Sequence, residues 1–327
     1  MMKAVVYHEY GSPDVFSFAN VDLPSVKDDE VLVHVRASSV NPWDWHFMRG
    51  SPIVARMVSG LRKPRQPILG ADVAGRVEAV GRNVTQFHPG DEVYAFVSSS
   101  GCFAEYVSVP ASIVGHKPTN LTFEQAAAVP LAGLTALQSL RDQGRIEPGM
   151  KVLINGSSGG VGSFGVQIAK SFGAEVTAVC SARNAGMVRE LGADHVVDYQ
   201  REDFTRSGQR YDVLMDTVGN RRLSESRRVL EADGVVILIA GLQPMTDWIG
   251  IPRMWVRVLA ARTAWRQKVI VFPIVQPSGA DLRDLKDLIE SGQVTPHIDR
   301  TYPLSDVPEA IRYLEQGHAR GKVAIAV

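Results

Sequence analysis

Short apolar runs that alternate with polar positions fill the first part of the chain, at residues 31–35, 73–80, 93–97 and 105–109, with Pro89-Gly90-Asp91 among the breaks between them. This period-two pattern with close turns predicts a compact antiparallel β unit over roughly the first 120 residues. At Thr122 the texture changes: Thr122-x-x-Gln125 has capping-box spacing and opens an Ala/Leu-rich helical stretch interrupted near Pro130. From Lys151 the order becomes strand (152–154), glycine turn (156–162), helix to Lys170 and strand (175–179), with further apolar runs at 211–215 and 235–240. Strands separated by helical stretches predict parallel βαβ units in a doubly wound sheet. Beyond Ala280, a helix with Leu282, Leu285 and Ile289 on one face, a strand over 300–304, a helix ending near Gly317 and a strand over 323–327 predict a tail that returns to the first domain. The expected organisation is therefore a β-rich domain over 1–121, an α/β domain over 122–279 and a returning tail over 280–327.

Composition narrows the function classes. The 327 residues are 45% hydrophobic and 21% charged, enough apolar material for ordinary cores and too little charge excess for disorder. Thirty-five Lys and Arg balance thirty-five Asp and Glu, so no global basic field attracts nucleic acid or an anionic membrane. The two cysteines, Cys102 and Cys180, can build neither a disulfide framework nor a four-thiolate zinc site. Charged and aromatic residues stand near the start, where a secretory apolar core of about 7–15 residues would lie. The longest apolar stretch, 234–242, is about half the roughly 20 residues of a membrane span. A cytoplasmic protein without a membrane span is expected.

The segment Gly156-Ser157-Ser158-Gly159-Gly160-Val161-Gly162 follows a predicted buried strand and precedes a helix, the position of a dinucleotide pyrophosphate loop. Bare backbone allows a tight turn and a close approach, and a helix N-terminus offers unpaired N–H groups to an anion. In strict spacing, Ser157 takes the first glycine position, Gly159 and Gly162 take the others, and Gly156 is displaced by one. The alternative is a helix-start turn that merely packs tightly on the sheet. After the second strand the chain reads Cys180-Ser181-Ala182-Arg183, without the acidic residue that binds an NAD ribose. A hydroxyl beside a guanidinium attracts a 2'-phosphate, so NADPH is favoured over NADH. A solvated loop cation is the other reading of Arg183.

The run Gly149-Met150-x-x-Leu153-x-x-x-Ser157-Ser158-Gly159-Gly160-x-Gly162-x-x-x-x-Gln167-x-x-Lys170 resembles the quinone oxidoreductase and zeta-crystallin signature of the zinc-independent medium-chain dehydrogenase/reductases. Leu69-Gly70-x-Asp72-x-x-Gly75, Gly133-Leu134-Thr135-Ala136 and Gly317-His318-x-Arg320-Gly321-Lys322 extend the likeness along the chain. It is also similar to the mitochondrial reticulon-4-interacting protein branch. The resemblance implies a GroES-like catalytic domain built from both chain ends, a Rossmann domain between them, and a site for NADPH and a quinone or electrophilic alkene. It assigns Ser158, Gly160 and Val161 to the pyrophosphate and nicotinamide side, and Ser181 and Tyr199, with Arg183 nearby, to the 2'-phosphate. Thr135, Gly241, Leu242 and Val275 would flank the nicotinamide half, and Lys322 would approach the cofactor from the tail. A homodimer is the family's expectation.

Zinc-dependent relatives hold their metal with Cys, His and a further Cys or Asp. Here the segment from Asn41 to Asp44 has no thiol, Gly70-Ala71-Asp72 no His and Ala132-Gly133 no Cys, so no metal is expected. The candidate catalytic residues are Asn41, Asp44 and His46, on an aromatic-rich segment read as irregular. Asn41 would contact nicotinamide or substrate oxygen, Asp44 would orient the segment, and Asp72 would be structural. Relatives commonly carry Tyr where His46 stands; this imidazole either protonates the product or is satisfied by a backbone carbonyl. Insertions at 51–66 and 243–268 would shape the pocket or pack a domain or dimer surface, and a peripheral membrane contact is a further reading of the second. The expected activity is NADPH-dependent, zinc-independent reduction of quinones or α,β-unsaturated carbonyls. The rivals are a crystallin-like NADPH-binding structural or regulatory protein and a zinc-type alcohol dehydrogenase.

Overall fold

Alternation places Val31, Val33 and Val35 on one face of a strand, and all three are buried, packed with Val73, Val77, Val93 and Val107. The computed structural model describes residues 1–51, 53–239, 268–271 and 275–327. The chain forms two units, one of Met1–Leu134, Gln276–Gly292 and Pro296–Val327, the other of Thr135–Val275 and Gln293–Thr295. In chain order the first unit begins with β1 (Met2–Val6), β2 (Ser17–Val21), β3 (Glu30–Val40), α1 (Pro42–Arg49), α2 (Ile53–Ser59), β4 (Asp72–Val80), β5 (Glu92–Phe96), β6 (Tyr106–Pro110), β7 (Val114–His116) and α3 (Phe123–Ala127). Helix α4 (Pro130–Gln138) runs through the seam. The second unit follows with β8 (Lys151–Asn155), α5 (Gly160–Ser171), β9 (Glu175–Cys180), α6 (Ala185–Glu190), β10 (His195–Asp198), β11 (Tyr211–Asp216), α7 (Leu223–Ser226), β12 (Leu230–Leu238) and β13 (Lys268–Val271). Then α8 (Gly279–Glu290), β14 (Ile298–Pro303), α9 (Val307–Glu315) and β15 (Lys322–Ala326) complete the first.

In the first unit the described main sheet runs β14-β15-β3-β4-β5-β7, with β6 also paired to β3. Its register carries the site: Val323 lies opposite Val40, and Ser39 opposite Asp72. Three neighbouring strands therefore present Lys322, Asn41 and Asp72 at one edge. Helix α8 buries Leu282, Leu285 and Ile289, as its spacing predicts, each contributing about 1.5–3 kcal/mol of transfer free energy. Tyr94 Oη anchors it by donating to the Leu282 carbonyl at 2.5 Å.

The capping box forms as the spacing predicts, with the Gln125 N–H donating to Thr122 Oγ1 at 3.2 Å and the Thr122 N–H to Gln125 Oε1 at 3.0 Å. The helix it opens belongs to the first unit, because α3 packs on β3, β4 and β15. The change of texture marks a change of element type there, and the seam itself falls after Leu134.

In the second unit the described strands run β10-β9-β8-β11-β12-β13, all parallel. The chain starts in the middle at β8, builds one side and then the other, so its topological switch lies between β8 and β11. Strand β12 begins at Leu230, earlier than its apolar run, because a register shift opposite Tyr211 and Val213 sets Glu231, Ala232 and Asp233 out in solvent. Among the described residues no helix is long and apolar enough to cross a membrane.

Candidate functional site

Among the described residues each unit carries a polar site that bears on function. In the first, Asn41 precedes Pro42 at the first helical position and Asp44 at the third, and Gly50 closes the element at φ +57°. The segment read as irregular is therefore helix α1. Asp44 accepts the Asn41 backbone N–H at 2.8 Å, one half of a capping box. Beyond the cap, the Asn41 side chain makes further bonds. Its Nδ2 donates to Asp72 Oδ2 at 2.9 Å and to the Ser39 carbonyl at 3.3 Å, and its Oδ1 accepts from Lys322 Nζ.

Asp72 is the hub of this cluster. Its Oδ2 also accepts from Ser39 Oγ at 2.6 Å and Lys322 Nζ at 3.3 Å, while its Oδ1 accepts the Leu131 N–H at 2.8 Å. Asn41, Asp44, Asp72 and Lys322 are all buried. Burial pushes the Asp44 carboxyl up to about 7, with the Asp72 charge adding to the effect. N–H donors from Asn41 and from Gly70, the latter at 3.1 Å, and the Lys322 ammonium oppose it. With Asp44 protonated, one carboxylate and one ammonium remain, and the cluster is neutral.

These residues do not fit a zinc ion. The Asp72 carboxylate is already saturated by a cation and three further donors. Cys102 lies buried among the same groups, and burial, with Asp72 and Asp44, raises its thiol well above the ordinary range. Among the described residues no three His, Cys, Asp or Glu side chains converge as a metal site. His46 stands apart from the cluster: its Nδ1 lies 2.7 Å from the Ser51 carbonyl, its ring lies 3.7 Å from that of Trp45, and burial lowers its pKa. Burial favours the neutral ring, in which Nδ1–H donates to the carbonyl and Nε2 is the acceptor.

In the second unit, Gly156 turns the chain after β8 at φ +82°, where a Cβ would come within 2.3 Å of Thr217 Oγ1. A Cβ on Gly162 would come within 2.2 Å of the Gly156 carbonyl oxygen, so helix α5 can meet the turn only through a glycine. Gly156 thus supplies the tight turn. Ser157, which holds the first motif position, is a lacing residue: its N–H and Oγ both donate to the Val179 carbonyl, at 3.1 and 3.0 Å. Ser158, Gly159, Gly160 and Val161 are half-buried, the last two in the first turn of α5, whose N–H groups have no intrahelical acceptor.

Ser181 follows β9 and Tyr199 follows β10. Cys180 and Asp198 are register partners, and the Tyr199 N–H donates to the Cys180 carbonyl at 3.2 Å, which brings the two residues to one edge of the sheet. Arg183 is exposed one turn further on. Asn184, which the sequence reading missed, joins this edge to the loop by donating to Ser158 Oγ at 2.9 Å. Across the switch point, Asn155 Nδ2 donates to Asp216 Oδ1 at 2.8 Å and to Asn220 Oδ1 at 3.1 Å, a second network no local motif announces. Thr135 is buried on α4 and Val275 is half-buried beyond β13. Gly241, Leu242 and the insertion from Gln243 to Gln267 lie outside the described residues.

Residues 27–119 match the family described as alcohol dehydrogenase GroES-like domain, and residues 191–325 the one described as zinc-binding dehydrogenase. Over its full length the chain is 34% identical to the mitochondrial NAD(P)H oxidoreductase RTN4IP1 of Mus musculus, covering 89% of it. Over 99% of its length it is 34% identical to the chloroplastic NADPH-dependent alkenal/one oxidoreductase of Arabidopsis thaliana, covering 79% of that protein. The solved quinone oxidoreductase of Coxiella burnetii matches the whole chain with a TM-score of 0.87 at 30% identity, over 99% of that structure. Paired with a parallel sheet that carries a glycine turn at its switch region and an antiparallel unit closed by the chain's tail, these likenesses identify the chain as a member of the medium-chain dehydrogenase/reductase superfamily of oxidoreductases, in its quinone oxidoreductase branch.

Proposed function

We propose that the protein is an NADPH-dependent reductase that delivers hydride to quinones or α,β-unsaturated carbonyls without a metal ion. The observation that carries this reading is the edge formed by β9 and β10. There Ser181 and Arg183 stand where an NAD site carries a carboxylate, with Tyr199 beside them and Asn184 tying them to the glycine loop. A nicotinamide dinucleotide fits these residues: Gly162 leaves room for a close approach, and the Asn184 Oδ1, buried with no donor among the described residues, offers an acceptor to a ribose hydroxyl.

The N–H groups of Gly160, Val161 and Gly162 would hold the pyrophosphate at the positive end of α5, with Ser158 and Gly159 in the same turn. Thr135, Gly241, Leu242 and Val275 are assigned to the nicotinamide half. Bound NADPH supplies the hydride. Addition to an already electrophilic π system needs no Lewis acid, only orientation and a proton for the oxygen that gains charge. His46, held neutral, is a poor acid near pH 7, so solvent is the proton source in this reading. Asn41, Asp44 and Lys322 act by position: the Lys322 ammonium fixes the Asn41 amide, and Asp44 fixes the start of α1. A homodimer and a reducing, cytoplasmic location, where the buried free thiols of Cys102 and Cys180 persist, complete the proposal.

The test is NADPH and NADH oxidation against a panel of quinones and enones, with and without a chelator. Acceptor-dependent oxidation that prefers NADPH and survives chelation is expected. Tight NADPH binding without acceptor-dependent oxidation would leave a cofactor-holding structural protein, and loss of turnover on chelation would return the zinc-type reading.

A further inference from the structure

Helix α2 turns polar side chains inward and three of its larger apolar ones outward. Its polar residues face the protein: the Arg56 guanidinium lies 4.7 Å over the Tyr10 ring and its Nε donates to the Gly50 carbonyl at 3.0 Å. Ser59 Oγ lies 2.8 Å from Tyr10 Oη, which also bonds the Gly60 carbonyl. Among its described side chains Ile53, Met57 and Val58 turn outward, 38%, 68% and 69% exposed, and Leu61, two residues past the helix end, is 69% exposed. A single exposed aliphatic residue is ordinary, but a cluster of them over polar groups turned inward marks a contact surface.

Along this segment of chain the charge is of one sign. Between Asp44 and Asp72 the chain has no acidic residue and five basic ones, Arg49, Arg56, Arg62, Lys63 and Arg65. Arg49 pairs with Glu315 and Arg56 with Tyr10, whereas Arg62, Lys63 and Arg65 are exposed beside Leu61.

We infer that this face docks on an anionic lipid surface, with Met57, Val58 and Leu61 entering the boundary between headgroups and acyl chains and Arg62, Lys63 and Arg65 against the lipid phosphates. A second copy of the chain is a poorer occupant, because a two-fold interface would set the same cations against each other. An acidic peptide would meet the cations and leave the aliphatic side chains uncovered. One short apolar insertion with three cations makes a reversible, salt-sensitive attachment.

Co-sedimentation of the full chain with vesicles tests it, using phosphatidylcholine alone and an equimolar mixture with phosphatidylglycerol. Binding to the anionic vesicles is expected at roughly tenfold or more over the neutral ones, falling steeply with added salt. The double variant Met57→Ser/Leu61→Ser and the triple variant Arg62→Gln/Lys63→Gln/Arg65→Gln should each lose most of that binding while keeping the wild-type thermal unfolding profile. Equal binding to both vesicles, binding to neither, or full binding by the triple variant overturns the inference. So does self-association of the chain that Leu61→Ser abolishes, seen without vesicle binding.

Discussion

Lys322 and Asp72 stand 250 residues apart in the chain and meet at 3.3 Å, with side chains 3% and 0% exposed. Neither charge has water to return to, so the pair serves chiefly to hold Asn41, and through it the start of α1, in one position. A buried pair of this kind adds little net stability, but removing one member leaves an uncompensated charge.

Lys322→Met should lower unfolding stability by about 3–5 kcal/mol, measured by urea denaturation. Adding Asp72→Asn should recover part of the loss. A double-mutant cycle with no coupling between the two sites would show that the cluster is not a unit.

The Asp44 carboxyl makes stability depend on pH with a definite sign. In the folded chain it titrates at about 7, against an ordinary aspartate value of about 3.9 in the unfolded chain. Between those values the folded chain keeps a proton that the unfolded chain has released. This group's contribution is therefore most favourable below about pH 4 and is lost as pH rises through about 7, with a slope of at most about 1.4 kcal/mol per pH unit. Asp44→Asn should flatten that part of the stability profile, measured by denaturation at a series of pH values; an unchanged slope would mean that the carboxyl is ionised throughout.

The glycine loop offers a contrast within one motif. Gly162→Ala would force a Cβ to 2.2 Å from the Gly156 carbonyl oxygen and should cost about 1–3 kcal/mol. Gly159→Ala would meet that same oxygen only at 3.4 Å, with an extended backbone, and should stay within about 0.5 kcal/mol of wild type. Thermal unfolding of the two variants side by side makes the comparison.

Cofactor choice is expected to reside in Ser181 and Arg183. Arg183→Ala should weaken NADPH binding about tenfold, roughly the loss of one charge-assisted hydrogen bond, and leave NADH binding unchanged. Ser181→Asp should shift the preference toward NADH by repelling the 2'-phosphate. Fluorescence titration with both nucleotides measures the two effects; an equal loss for both would place Arg183 against a part the two nucleotides share, and no loss for either would leave it a solvated loop cation.

Much of the fold was readable locally. Val31, Val33 and Val35 declare a strand because burial on one face repeats every second residue, and Leu282, Leu285 and Ile289 declare a helix for the same reason at a longer period. The glycine loop was readable because bare backbone is a steric demand that only one residue type meets. Helix α1 carried its signals, Asn41, Pro42 and Asp44 at the start and Gly50 at the end, but its aromatic content obscured them. Helix α2 misleads any periodicity argument, since a pattern locates an apolar face without saying which way it points.

Local chemistry was thus enough for the order of elements and for the glycine turn between β8 and α5, each of which is a property of neighbouring residues. The hub at Asp72, the seat of α3, the Ser158–Asn184 bridge and the proton affinity of Asp44 required the folded chain. Each depends on strand register or on burial, and both are set by segments far apart in the chain: Val323 against Val40, Ser39 against Asp72 and Cys180 against Asp198.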